Sequence, residues 1–253
     1  MTYQRADVYD ALYQDMKNYF NEADWATEIA IRYLLRYAVN APVRSKLSLL
    51  DVACGTGLHL QYFSHWFGYV EGVDSSEVQL AAARDRLDGV KLSWGDMRSF
   101  SLTHDEGARS TFDVVTCLFS AIGHMLNIAD LQQAIATMAG HLKPGGVLLV
   151  EPWLMPDRWE SGRISLETVD YSDLKIARVT RSELHPDNIT YLEMHYTVGT
   201  SESIEHYVER HKLALYAQEE YESAFNRAGL EFTYDPFGIS NNHRGLFIGV
   251  KPI

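Results

Sequence analysis

One segment constrains this chain more than any other. An apolar run over residues 47–52 passes directly into Ala53-Cys54-Gly55-Thr56-Gly57. A run this short, ending in small residues, reads as a buried parallel strand that must turn at once into a helix. Glycine permits positive φ and lets a ligand approach the backbone. Ala53 stands where many such loops have their first glycine, and it keeps the side chain small. Alone, such a loop is a weak signal and also fits a plain strand-to-helix turn.

The rest of the first half supplies the context. Trp25, Ile29, Ile31, Leu34 and Leu35 recur at helical spacing over 24–37, and Pro42 closes that region. Helical patterns at 59–67, from Ser75 onward and at 128–142 alternate with strand patterns at 69–73, 90–94, 112–118 and 147–150. Ser75 or Ser76 can cap the second of these helices. Lys143-Pro144-Gly145-Gly146 reads as a breaker before the last of these strands. Alternation of this kind implies a parallel sheet with helices on both faces, and a ligand at the C-terminal strand ends.

The pattern changes over 163–216. Tyr191, Met194, Tyr196, Val198, Ile204, Tyr207, Leu213 and Leu215 suit a half-exposed antiparallel sheet, with turns at Asp187-Asn188 and over 199–203. A helix over 218–228, ended by Gly229, and strands at 230–234 and 245–250 complete the chain. The expected organisation is an α/β core from 1–160 and 216–253, with an antiparallel β insert over 161–215.

Two more acidic strand ends follow the glycine loop. Asp74 lies 19 residues after Gly55, where a carboxylate can accept from two ribose hydroxyls. Asp96 ends the next strand, placed to accept from an adenine amino group. Each alone could be a helix cap or a solvated charge; the series at successive strand ends points to an adenosine-bearing ligand.

Composition narrows the partners. Hydrophobic residues make up 46% of the 253-residue chain and the net charge is −12. That balance lacks the basic footprint of a nucleic-acid binder. No apolar run reaches membrane-spanning length. The first ten residues lack the charged-then-apolar pattern of a signal peptide. Cys54 and Cys117 are the only cysteines, too few for a disulfide framework, so a cytoplasmic location is expected. No metal-ligand spacing is visible.

The chain resembles the class I S-adenosylmethionine methyltransferases. The resemblance rests on LLDVACGTG at 49–57, VEGVDSS at 70–76, GDMRSF at 95–100, FDVVTCLFSAIGH at 112–124 and HLKPGGVLLVEP at 141–152. It implies a Rossmann-like sheet of seven strands, the last antiparallel, with the β insert after the fifth. KNYFNEA at 17–23, EPWLMP at 151–156, LEMHYTV at 192–198, QEEYESAFNRAGL at 218–230 and RGLFIGV at 244–250 are similar to the bacterial N,N-dimethyltransferases of TDP-linked amino sugars. By that resemblance the cofactor is S-adenosyl-L-methionine. Its site comprises Tyr19, Asp51, Ala53, Cys54, Gly55, Gly57, Asp74, Ser75, Asp96, Met97, Leu118 and Phe119. The acceptor is then a small-molecule amine and the protein a homodimer.

Methyl transfer to an amine is mainly alignment, plus removal of a proton from the nitrogen. His124, a few residues beyond the fourth strand, is the first candidate for that contact, because imidazole titrates near neutrality. His141, His206 and His211 read as surface or strand-face residues. Tyr9 is expected on the acceptor side, with Tyr3 as its rival; Tyr13 reads as packing. Arg244 is suited to clamp a diphosphate. Arg178, Arg181 and Trp153 complete the expected acceptor set.

Three departures from the family pattern lie in acceptor regions: Leu154 after the EPW motif, Thr180-Arg181-Ser182 in the insert, and residues 239–243 before the last strand. A free amino acid, another small amine, or intramolecular chemistry on the cofactor stay open as alternatives. A nicotinamide oxidoreductase shares the strand-turn-helix logic, but Gly57 is followed by Leu58-His59-Leu60, with no third glycine.

Overall fold

The structure is a computed structural model and describes residues 5–37, 42–103, 110–239 and 244–253. Strand β1 (Ser48–Val52) is buried at every residue. It lies parallel to β2 (Tyr69–Asp74) on one side and β4 (Phe112–Cys117) on the other. β3 (Lys91–Trp94) and β5 (Leu142–Val150) extend the parallel array outward. Then β6 (Ile164–Asp170), β7 (Lys175–Leu184), β8 (Ile189–Gly199) and β9 (Ile204–Ala214) form a separate antiparallel sheet in chain order. β10 (Glu231–Asp235) and β11 (Leu246–Val250) return to the first sheet, whose order is β10-β11-β5-β4-β1-β2-β3. β11 is antiparallel to both its neighbours. The seven-stranded Rossmann-like sheet and its antiparallel insert are those expected.

The helices depart from the expected bounds where packing overrides local pattern. α1 (Ala6–Met16) is an added N-terminal helix. It buries Val8, Ala11 and Leu12 against Val169, Ile176, Tyr196 and Val198 of the insert, so its stability is tertiary. α2 (Tyr19–Leu34) starts earlier than 24, because the Asn18 side chain accepts from the Asn21 N–H. Its core face is Ala23, Ala26, Ile29 and Ala30; Trp25 and Leu35 are exposed. α3 (Leu60–Trp66) and α4 (Glu77–Arg86) follow β1 and β2, the latter capped by Ser76. α5 (Ile128–Gly140) and α6 (Gln218–Arg227) cover the β4–β5 side.

Lys143-Pro144-Gly145-Gly146 does not precede β5 but lies inside it. The β4–β5 register shifts between Phe112 and Val114, and the irregularity accommodates a proline that cannot donate to the ladder. Among the described residues no helix is long and apolar enough to cross a membrane.

Candidate active site

The C-terminal ends of β1, β2 and β4 open onto a cleft of about 1030 Å³. Tyr9, Tyr13 and Met16 of α1 line one wall, and inward residues of β6 to β9 line the far side. α1 is tied to the glycine loop: the Thr56 hydroxyl donates to Asp10 Oδ1 at 2.6 Å, and Arg86 pairs with the same carboxylate.

The near half is built from the loop beyond β1. Ala53 is held at φ +59° and Gly55 at +56°. A non-glycine residue there costs roughly 1–2 kcal/mol, so the turn is strained but kept. The Asp74 carboxylate fixes the loop, accepting from the N–H of Gly55 (Oδ2, 2.8 Å) and of Ser76 (Oδ1, 2.8 Å). Burial pushes this carboxyl up from its ordinary value, against those two N–H donors. A carboxylate has about four acceptor sites, so two remain for a diol.

Gln79, 2% exposed, lines the same wall, and its Nε2 has no partner among the described residues. A buried donor without an acceptor is unfavourable, so a ligand oxygen is what this position lacks. Asp96 and Met97 sit beyond β3, and Leu118 supplies an apolar flank. The Arg98 guanidinium holds the Asp96 carboxyl below its usual range. Paired acceptors, an unpaired donor and apolar flanks are the donor set that an adenosine needs.

Four residues expected at the cofactor are not on this wall. Asp51 lies under the loop, accepting from the Thr116 hydroxyl at 2.7 Å, and burial pushes its carboxyl up to about 6. The Cys54 side chain is buried in the core cluster. Gly57 is a packing glycine, since a Cβ there would lie 2.7 Å from Leu87 Cδ1. Tyr19 is buried beside His59, with ring centroids 4.8 Å apart, and beneath it Glu22 takes both Lys17 and His59 at 2.9 Å. These residues shape the loop from behind. Ala53, Gly55, Asp74, Ser75, Asp96, Met97, Leu118 and Phe119 do line the cleft.

The far half begins beyond β4. Phe119 and Ser120 are both left-handed, at φ +51° and +63°. The Phe119 N–H donates to Glu151 Oε2 at 2.7 Å and the Ser120 hydroxyl to the Pro152 carbonyl at 2.8 Å. This sharp turn aims Phe119 at α1, where Tyr13 meets it edge-on at 4.9 Å and Tyr9 at 6.5 Å. Arg244 Nη1 donates to Ser120 Oγ at 2.7 Å, and its guanidinium lies 5.0 Å from the Trp153 ring. His124 follows in a short helical turn; burial, with His211 facing it, pushes its imidazole down to about 4.

The insert contributes through strand alternation. Arg178 points inward, 4% exposed, donating to the Tyr13 hydroxyl (2.8 Å) and to Glu167 (3.1 Å). Arg181, expected at the acceptor, is on the opposite face, exposed and paired with Glu183. That is a correction: three residues from Arg178 on a strand is the other side of the sheet. Tyr9, His124, Trp153, Arg178 and Arg244 line the same cleft; Tyr3 lies outside the described residues.

Sequence reasoning passed over Tyr13, Gln79, Trp159, Glu209 and His211, all on the cleft wall. His211 is a buried strand-face residue rather than a surface one. His141 is also buried, accepting from the Leu102 N–H at 3.2 Å; His206 is exposed. The signal for Glu209 and His211 was their two-residue spacing in line with Leu213.

Residues 49–146 match the family described as methyltransferase domain. The chain is 40% identical over 247 residues to dTDP-3-amino-3,6-dideoxy-alpha-D-glucopyranose N,N-dimethyltransferase of Streptomyces fradiae, covering 97% of this chain and 90% of that protein. It is 38% identical to dTDP-3-amino-3,4,6-trideoxy-alpha-D-glucopyranose N,N-dimethyltransferase of Streptomyces venezuelae, covering 97% of both. Among solved structures, Streptomyces venezuelae DesVI superposes with a TM-score of 0.84 at 38% identity over 98% of each chain. CalS10 of Micromonospora echinaspora, an amino pentose methyltransferase solved with S-adenosylmethionine bound, gives 0.79 at 37% identity over 97% of each.

Fold and site define an S-adenosylmethionine-dependent methyltransferase, and this chain belongs to that class. Within it, the chain belongs to the family of bacterial N,N-dimethyltransferases of TDP-linked amino sugars.

Proposed function

We propose that the protein methylates the amine of a TDP-linked amino sugar, acting in the cytoplasm as a homodimer. The observation that carries the reading is one continuous cleft joining an adenosine-shaped wall to a second half lined by Arg244, Trp153 and Trp159. The indole N–H groups of Trp153 and Trp159 are buried without partners among the described residues, and Arg244 stands over Trp153. Donors and a guanidinium beside flat apolar rings suit an anionic nucleotide better than a free amino acid.

S-adenosylmethionine, when bound, supplies an electrophilic methyl group on a sulfonium sulfur. The protein's own work is alignment and proton handling. Asp74 and Gln79 hold the adenosine side. Phe119, fixed by Glu151, and the tyrosine pair Tyr9–Tyr13 exclude water between the two halves. His124, held neutral by burial, accepts a hydrogen bond from the acceptor nitrogen and turns its lone pair toward the methyl group. Arg244 anchors the phosphates.

The test is mass spectrometry of reactions containing S-adenosylmethionine and a panel of TDP-amino sugars, free amino acids and simple amines. A gain of one or two methyl groups on a TDP-amino sugar alone is expected. Gain on free amines alone would overturn the nucleotide reading.

A further inference from the structure

We propose that Glu209 and His211 on β9, acting beyond His124, carry away the proton that the acceptor amine must lose. The assignment rests on the reading that the acceptor is an amine. His211 is 5% exposed and Glu209 5%, and both line the cleft. They sit two residues apart, so they share the inward face of β9. His211 Nε2 lies 3.3 Å from Glu209 Oε2. With Glu209 ionised, the carboxylate can only accept and Nε2 donates. The His211 and His124 ring centroids are 6.0 Å apart, so the pair adjoins the histidine that faces the acceptor.

The chemistry requires such a path. For each methyl group, the nitrogen lone pair forms the N–C bond, the C–S bond breaks with its electron pair going to sulfur, and one proton leaves the nitrogen. His124 can accept a hydrogen bond but cannot keep the proton. With its imidazole pushed down to about 4, on the order of one molecule in a thousand is protonated at pH 7.

His211 differs from His124 in having a buried carboxylate beside it. Its cross-strand neighbour is Leu192, and that of Glu209 is Met194, so little water screens the pair. The phenols of Tyr196 and Tyr207 face Glu209, and Arg178 holds the next inward position beside Tyr196. Two ionisable groups on a strand face that places Tyr207 and Leu213 beside them are costly to bury for packing alone. His124, one ring nitrogen of which bonds the Lys212 backbone, orients the amine; the proton passes from the amine through water to the His211–Glu209 pair and from there to solvent.

E209Q, E209D and H211N test this with the TDP-amino sugar that the wild-type protein methylates. At pH 7, E209Q and H211N should lower kcat about 100-fold, the scale of general-base loss. S-adenosylhomocysteine Kd and acceptor KM should stay within about twofold, and E209D should recover part of the rate. The deficit should shrink at high pH, where the amine is already neutral in solution. A loss equal at every pH, a loss confined to KM, or wild-type kcat in E209Q would overturn the assignment. If the wild-type protein methylates no amine, the acceptor reading itself has failed and the assignment falls with it.

Discussion

The backbone N–H of Phe119 donates to the fully buried carboxylate of Glu151 at 2.7 Å. The two lie at the ends of adjacent parallel strands, β4 and β5, so a sheet contact fixes the position of the aromatic ring between cofactor and acceptor. Two consecutive left-handed residues persist there because Glu151 and the Pro152 carbonyl hold them. Glu151→Ala would leave a buried N–H without its acceptor, a loss of about 1–3 kcal/mol. We expect a lower melting temperature and weaker S-adenosylhomocysteine binding by calorimetry. Glu151→Gln, which keeps an acceptor oxygen, should lose less of both. Equal loss in the two variants would mean that the contact with Phe119 is not what matters.

Asp51 makes stability depend on pH in a direction opposite to that of most carboxylates. Unfolded, its carboxyl has an ordinary value of about 3.9. Folded, burial pushes it up to about 6. Between those values the folded protein keeps a proton that the unfolded chain gives up, so stability falls as pH rises from about 4 to about 6. Asp51→Asn keeps an acceptor for the Thr116 hydroxyl and removes the buried charge. It should be more stable than wild type at pH 7.5, by roughly 1–3 kcal/mol, with the difference fading below about pH 4. Denaturant melts across that range check it, and a constant offset would refute the role of ionisation.

Ala53 carries a left-handed backbone at φ +59° in the glycine loop. Ala53→Gly removes the clash between Cβ and carbonyl but gives the unfolded chain more freedom, so the two effects partly offset. The net change should be stabilising by no more than about 1 kcal/mol, with cofactor affinity kept. Gly57→Ala should behave oppositely, because φ is +79° and the new Cβ would press on Leu87 and Ala83. Melting curves of both variants, read together, separate a strained loop from a crowded one.

The sequence made the parallel half legible because each strand end carries its chemistry locally: a glycine turn after β1, Asp74 after β2, Asp96 after β3. The acceptor half depends on tertiary placement. Nothing near Tyr13 in the chain announces that its hydroxyl would meet Arg178, 165 residues away. Arg178 and Arg181 look equivalent as letters, and only the strand phase sends one inward and the other out. Asp51 carried the family motif, yet its side chain lies beneath the loop, accepting from the Thr116 hydroxyl. The bounds and partner of α1 were not legible because its apolar face is completed by the insert rather than by the adjoining chain.

Trp159 allows a sharp separation of binding from folding. Its indole N–H is buried with no partner among the described residues, and its ring lies 6.0 Å from that of Trp153. An unsatisfied buried donor weakens the unliganded protein, while a ligand acceptor would satisfy it on binding. Trp159→Phe keeps the ring and deletes the donor. The melting temperature without acceptor should stay the same or rise slightly. Acceptor KM should rise about five- to tenfold, the equivalent of roughly 1–1.4 kcal/mol for one hydrogen bond. S-adenosylhomocysteine affinity should not change, since Trp159 lies on the far half of the cleft. An unchanged KM would mean that the indole N–H meets no acceptor atom of the substrate, and that Trp159 only shapes the wall.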